Sequence, residues 1–168
     1  MKSRVEAIAI ARTYLETPYV LGARVKGAGL DCGTLLAEYL IEIGATTEAA
    51  LIDAGFYKAG GGGHSFSHDW FCHASSEEYL RGLMIFGKLV AETICRPTNE
   101  SPQPGELVLF RCANSKFFNH GAIVTAWPRG IHACDGKVRE SNLVAHRLTG
   151  YKQMDVFDPF QSRELAAE

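Results

Sequence analysis

Cys32 directly follows Asp31 and opens a run in which Leu35, Leu36, Tyr39, Leu40 and Ile43 recur at helical spacing before Gly44. Asp31 predicts the N-cap of that helix and Gly44 its C′ residue. A thiol in a first helical turn lies beside unpaired backbone N–H groups and the positive end of the macrodipole, both of which favour the thiolate. A cysteine so placed is either a nucleophile or a small buried residue. A thiol nucleophile also needs a base, and the base needs a group that orients it. Among the six histidines, His120 and His132 fall in strand-like runs far downstream of Cys32. His120, after the turn-like Asn119, is a base or a surface histidine at a strand start. His132, between Ile131 and Ala133, is the orienting group or a half-buried, hydrogen-bonded histidine.

The spacing of the two histidines sets a geometric condition. A tight hairpin with its tip at Pro128-Arg129-Gly130 would put residue 126 opposite His132 and leave the imidazoles six residues out of register. At ~3.4 Å per residue that is too far for a hydrogen bond. Joining them requires a bulge, a strong twist or a turn nearer Ala126.

The elements that must hold these residues divide the chain into two textures. Ser3-Arg4-Val5-Glu6 is a capping box, and Val5, Ile8, Ala9 and Leu15 predict a helix of about three turns that ends by Thr17-Pro18. The Cys32 helix follows an irregular stretch containing Gly22, Gly27 and Gly29. Residues 45–75 read as a short helix around Thr47 to Ala54, four consecutive glycines from Gly60, and a polar loop with three histidines. A further capping box at Ser75-Ser76-Glu77-Glu78 predicts a helix bearing Tyr79, Leu80, Leu83 and Met84, which fades at Gly87. From Pro102 onward, short β-branched and aromatic runs predict strands at 106–111, 120–127, 131–134 and 153–157. Helices first and strands second, without a βαβ rhythm, predict an α+β fold with a C-terminal antiparallel sheet.

Composition narrows the partners. The 168 residues are 46% hydrophobic, and 17 Lys+Arg against 19 Asp+Glu leave a formal charge of -2. No basic stripe suits a phosphate backbone, so nucleic acid is not expected as a partner. No apolar run approaches the ~18 residues of a membrane span, so membrane insertion is not expected. Glu6 and Arg12 confine the apolar stretch Ala7 to Ala11, which is too short for a signal-peptide core, and synthesis in a cytoplasm is the expectation. At this length roughly 70% of the unfolded surface can be buried, so residues 1–168 are expected to form a single domain that needs no staple. Five cysteines, Cys32, Cys72, Cys95, Cys112 and Cys134, are an odd number, so at least one thiol stays free. The last four have no assigned chemistry and are expected to be reduced core or loop residues.

Five blocks in order carry a resemblance: Pro18-Tyr19-Val20-Leu21-Gly22, Gly29-Leu30-Asp31-Cys32-Gly33, Pro104-Gly105-Glu106-Leu107-Val108-Leu109-Phe110, His120-Gly121-Ala122-Ile123, and Ile131-His132-Ala133. The chain resembles the NlpC-like cell-wall cysteine peptidases. The resemblance implies a compact papain-like cysteine peptidase fold, with N-terminal helices packed on a C-terminal antiparallel sheet and the nucleophile at a helix start. It implies a triad of Cys32 as nucleophile, His120 as general base and His132 as the residue that fixes the tautomer of His120. Tyr19 resembles the family's tyrosine beside the sulfur, a donor to substrate or oxyanion, with the Cys32 N–H as the second donor. Asp31 resembles the aspartate before the nucleophile, which caps the helix, lines the substrate site, or does both. The implied activity is endopeptidase cleavage in the peptide stem of peptidoglycan, between D-glutamate and the diamino acid, without a cofactor or a metal. The same triad also serves amidase or acyl-transfer chemistry in related families, and a non-catalytic assembly module would keep the fold without the chemistry.

The departures from the family pattern are local. Gly33-Thr34 stands where Ser-Gly usually follows the cysteine, Gly22-Ala23 replaces Gly-Gly, and Glu106 replaces the Asp after Pro-Gly. Residues 64–80 are similar to the Asp-Trp-x-x-His stretch of phage tail-associated members, which implies tail proteins as partners and a virion tail as the setting. His64, His68 and Cys72, each four apart with His73 adjoining, have a spacing that metal binding would also use, although a glycine-rich approach suits a loop lining a cleft at least as well.

Overall fold

The computed structural model describes residues 1–53, 56–60, 95–96, 101–111, 120–145 and 153–160. Helix α1 (Arg4–Arg12) begins at the expected capping box, in which Ser3 Oγ accepts from Glu6 N–H and Glu6 Oε2 accepts from Ser3 N–H. It stops short of Thr17 because Glu16 turns into the left-handed region and gives its N–H to Val138 O in the sheet. A two-strand hairpin, β1 (Arg24–Val25) and β2 (Gly29–Leu30), leads into α2 (Cys32–Glu42). The apolar side of α2, with Leu35, Leu36, Tyr39 and Leu40, is buried in the main core. The short α3 (Glu48–Asp53) contributes Leu51 to the same core.

The remaining strands are β3 (Cys95–Arg96), β4 (Leu107–Arg111), β5 (His120–Ala126), β6 (Arg129–Cys134), β7 (Lys137–Asn142) and β8 (Gln153–Phe157). Among the described residues they form one six-stranded sheet in the order β3-β8-β4-β5-β6-β7, antiparallel throughout. The α+β architecture with helices ahead of an antiparallel sheet is as expected. Leu107, Leu109, Ile123, Ile131, Ala133 and Val138 pack with the helices, while Val108, Phe110, Ala122, Val124, Leu143 and Val156 form a second apolar cluster. Arg4 fastens α1 to the sheet: Nη1 donates to Pro104 O at 2.9 Å and Nη2 pairs with the buried Asp158. Glu106, also buried, accepts from Gln103 N–H at 2.7 Å and so closes the turn ahead of β4.

The hairpin between β5 and β6 departs from the expected turn. Ala126 pairs with Arg129, so the tip is Trp127-Pro128 rather than Pro128-Arg129-Gly130, and Arg129 and Gly130 belong to β6. A bulge between Val124 and Ala126 then shifts the register, so that Val124 faces Gly130 and Ile123 faces Ile131. The paired residues end at Ile123 and Ile131, three residues after His120 and one before His132, so both histidines lie just past the end of this ladder.

Gly130 carries this register at close quarters. A Cβ there would stand 2.8 Å from Ile123 O and 2.6 Å from a Leu143 methyl carbon. The backbone oxygen has nowhere to go, so Gly130→Ala is expected to lower stability by about 1–3 kcal/mol, seen as an earlier denaturant midpoint at unchanged slope. An unshifted midpoint would show that the β5–β6 pair separates freely.

β7, Lys137-Val-Arg-Glu-Ser-Asn142, has no counterpart in the sequence-based expectation. Its polar residues lack the alternation that marks a strand, but Asp135-Gly136 before it is a two-residue hairpin signal. Both turn residues have positive φ, 48° and 88°. The outer edge of β7 is covered by the segment after α1, since Glu16 N–H and Thr17 O bond to Val138. The helix expected from Ser75, the histidines at 64–73, Cys72 and Cys112 lie outside the described residues, and Cys95 falls in β3. Among the described residues no helix is long and apolar enough to cross a membrane.

Candidate active site

The nucleophile candidate occupies the first residue of α2, as its sequence position requires. Asp31 caps the helix with Oδ1 accepting from Thr34 N–H at 2.8 Å, while Thr34 Oγ1 accepts from Asp31 N–H at 2.9 Å. The departure at Gly33-Thr34 thus has a local reason, because a hydroxyl at Thr34 completes a reciprocal capping box. Thr34 Oγ1 also donates to Ala23 O at 2.7 Å. The second carboxylate oxygen of Asp31 accepts from Gly22 N–H at 2.8 Å. Asp31 is wholly buried, so its two oxygens hold both the helix start and the loop that follows Tyr19.

Tyr19 is fixed through its backbone on two sides. Its N–H donates to Gly136 O at 2.8 Å, in the β6–β7 turn. Around it, Leu30 N–H donates to Pro18 O and Val20 N–H donates to Leu30 O. Leu30 is two residues ahead of Cys32, so Tyr19 bridges the sheet edge and the segment that leads to Cys32. Tyr19 as a whole is 36% exposed.

His120 and His132 meet across β5 and β6. His120 Nε2 and His132 Nδ1 are 2.8 Å apart, with the rings edge to face. Phe110, directly across β4 from His120, stacks on that imidazole at 6.5 Å between ring centroids. His132 is fully buried, and its Nε2 lies 2.7 Å from Ser141 Oγ and 3.5 Å from Cys134 Sγ. A side-chain chain therefore runs from His120 through His132 to Ser141 on β7.

α2 is joined to this pair by a close approach. Leu36, one helical turn or about 6 Å beyond Cys32, fills the space at Gly121, where a Cβ would be 2.6 Å from its methyl carbon. Gly121 is the residue after His120, so the second turn of the helix and the start of β5 are neighbours. Cys32, in the main core, is 6% exposed.

Cys32, His120, His132, Tyr19 and Asp31 are the candidates that the sequence singles out, whereas the contacts of His132 with Ser141 and Cys134 are visible only in the fold. Ser141 lies on β7 and Cys134 ends β6, on either side of the Asp135-Gly136 turn, which is the sequence signal that points to them. Burial pushes the Cys134 thiol up to about 11, with the Asp135 carboxylate adding to the shift. Cys134 is therefore expected to alkylate at pH 8 about 100-fold more slowly than a small free thiol, as read by peptide mass mapping. Labelling at the rate of a free thiol would contradict this environment.

No protein-family model matches this chain, and no curated protein matches it. Solved structures do. The NlpC/p60 domain of the peptidoglycan hydrolase SagA superposes with a TM-score of 0.56 over 94% of this chain and 99% of that one, at 14% identity. An NlpC/p60 family protein from Bacillus cereus superposes equally well, with a TM-score of 0.56 and 15% identity over 91% of this chain, which spans 39% of that longer chain. With a helix start carrying a cysteine against an antiparallel sheet carrying two joined histidines, and with these neighbours, the chain has the papain-like fold of the NlpC/p60 domains.

Proposed function

We propose that this protein is a cysteine endopeptidase acting on the stem peptides of peptidoglycan, at the bond between D-glutamate and the diamino acid. The observation that carries the reading is the 2.8 Å contact between His120 and His132 at the start of β5, beside the helix that begins with Cys32. With Nε2 of His120 engaged by His132, we assign Nδ1 to the thiol. In the proposed reaction the Cys32 thiolate attacks the amide carbonyl while His120 holds the thiol proton. The developing oxyanion takes hydrogen bonds from the Cys32 N–H and the Tyr19 hydroxyl. His120 protonates the leaving amine as the C–N bond breaks, giving a thioester and a free amino terminus. Water, deprotonated by the same imidazole, then hydrolyses the thioester and restores the thiol.

The substrate class draws support from the NlpC/p60 domain of a peptidoglycan hydrolase among the structural neighbours and from the five sequence blocks. We extend the reading to a virion tail setting on the likeness of residues 64–80 to tail-associated members. The test is mass spectrometry of defined muropeptides incubated with the protein. A new amine terminus on the diamino acid is the expected product. A cut at another amide would reassign the scissile bond. No cut with a fast-reacting Cys32 would move the substrate outside the cell wall, toward amidase or acyl-transfer chemistry. No cut with an inert Cys32 would leave a non-catalytic assembly module.

A further inference from the structure

We infer that Ser141 is a positioning residue of the proposed reaction: by accepting a hydrogen bond from His132 Nε2–H it sets the tautomer of His132, and through it that of His120. The inference rests on the peptidase reading for its consequence and on the hydrogen-bond chain for its geometry.

Proton counting along the chain leaves two arrangements. Each neutral imidazole carries one proton, and the 2.8 Å contact between His120 Nε2 and His132 Nδ1 holds one proton between them. For His120 to accept the Cys32 proton at Nδ1, its own proton must sit on Nε2 and point at His132. His132 Nδ1 must then offer a lone pair, which puts the His132 proton on Nε2. There it meets Ser141 Oγ at 2.7 Å, and Ser141 must accept. In the opposite arrangement Ser141 donates to Nε2, the His132 proton moves to Nδ1, and His120 is left with its proton on the nitrogen that should act as base. When His120 becomes an imidazolium it must donate at Nε2, so the reaction stabilises the first arrangement.

The fold holds Ser141 where this choice can be made. Gly130 pairs with Ser141 and His132 with Arg139, so Ser141 lies on the diagonal of His132 across the β6–β7 ladder. The covered outer edge of β7 keeps that strand in register. Cys134 Sγ, 3.5 Å from the same nitrogen, is a second and weaker acceptor on the same side. Its raised thiol pKa keeps it uncharged at neutral pH, so it does not turn His132 into a cation. His132 is fully buried, so bulk water is poorly placed to replace a lost hydroxyl.

The test uses the full chain with Ser141→Ala, and the isosteric pair Ser141→Thr and Ser141→Val in case the alanine variant folds poorly. The first readout is the nitrogen chemical shifts of His132, which report its tautomer without reference to any substrate. The second is the pH profile of Cys32 alkylation by iodoacetamide, and the third is kcat against KM on a muropeptide. The parent is expected to show the Nε2–H tautomer. Ser141→Ala and Ser141→Val should populate the other tautomer and slow Cys32 alkylation at pH 7 and kcat by about tenfold, with KM unchanged, while Ser141→Thr stays near the parent. An unchanged tautomer and profile in Ser141→Ala, or equal losses in the Thr and Val variants, would overturn the inference. If Cys32 of the parent reacts no faster than an ordinary thiol, the peptidase reading fails, yet the His132 tautomer still decides the role of Ser141.

Discussion

Cys32→Ala is expected to abolish peptide cleavage, with a loss of at least about ten-thousand-fold in kcat, while the protein stays folded. The size follows from what the proposed reaction asks of the thiol: without it no acyl-enzyme would form, and the remaining oxyanion donors and imidazole pair would act on an unassisted amide. The mildness toward folding follows from where the thiol sits. Alanine is the best helix former, and the change removes a single sulfur from the first turn. The cap that starts the helix is made by Asp31 and Thr34 and does not involve the Cys32 side chain. Cleavage of muropeptides and the thermal midpoint, measured on the same preparation, check both halves. Turnover within tenfold of the parent would remove Cys32 from the mechanism. A collapsed midpoint with lost activity would instead make it a packing residue of the core it belongs to.

The two helices that place the first half of the site were legible because their signals are local. Ser3 with Glu6, and Asp31 at the head of an apolar run, are caps whose partners lie within three residues, and the observed bonds are those the spacing demands. The completion of the second cap by Thr34 was equally local, but its meaning was hidden behind a departure from the family pattern. The sheet was legible as a set of strands and not as a register. Gly130 looked like a turn residue, yet it serves as a strand position where Ile123 O passes too close for a side chain. Long-range crowding of that kind leaves no trace in a window of neighbouring residues. The condition for joining His120 to His132 was legible all the same, and the bulge after Val124 together with a tip at Trp127-Pro128 meets it. Ser141 escaped because β7 is a polar strand whose edge is covered by the backbone of Glu16 and Thr17, contacts from the far end of the chain.

The second large effect is expected at His132, and the choice of replacement separates its chemistry from its bulk. His132→Leu fills much of the same buried volume but offers His120 Nε2 no acceptor. His120 then loses the bond that fixes its ring and tautomer, and kcat should fall about a thousandfold with KM little changed. His132→Asn places an amide oxygen where Nδ1 stood, in the manner of papain-like triads that use asparagine, and should recover part of that loss. The recovery should be incomplete, since an asparagine side chain is too short to keep the 2.7 Å contact that Nε2 makes with Ser141. Steady-state kinetics on a muropeptide, beside thermal midpoints, distinguish the cases. Equal inactivity of the two variants with lowered midpoints would assign His132 to packing alone. Activity of His132→Leu within tenfold of the parent would mean that His120 needs no orienter, and the 2.8 Å imidazole contact would then hold two strands together without serving catalysis.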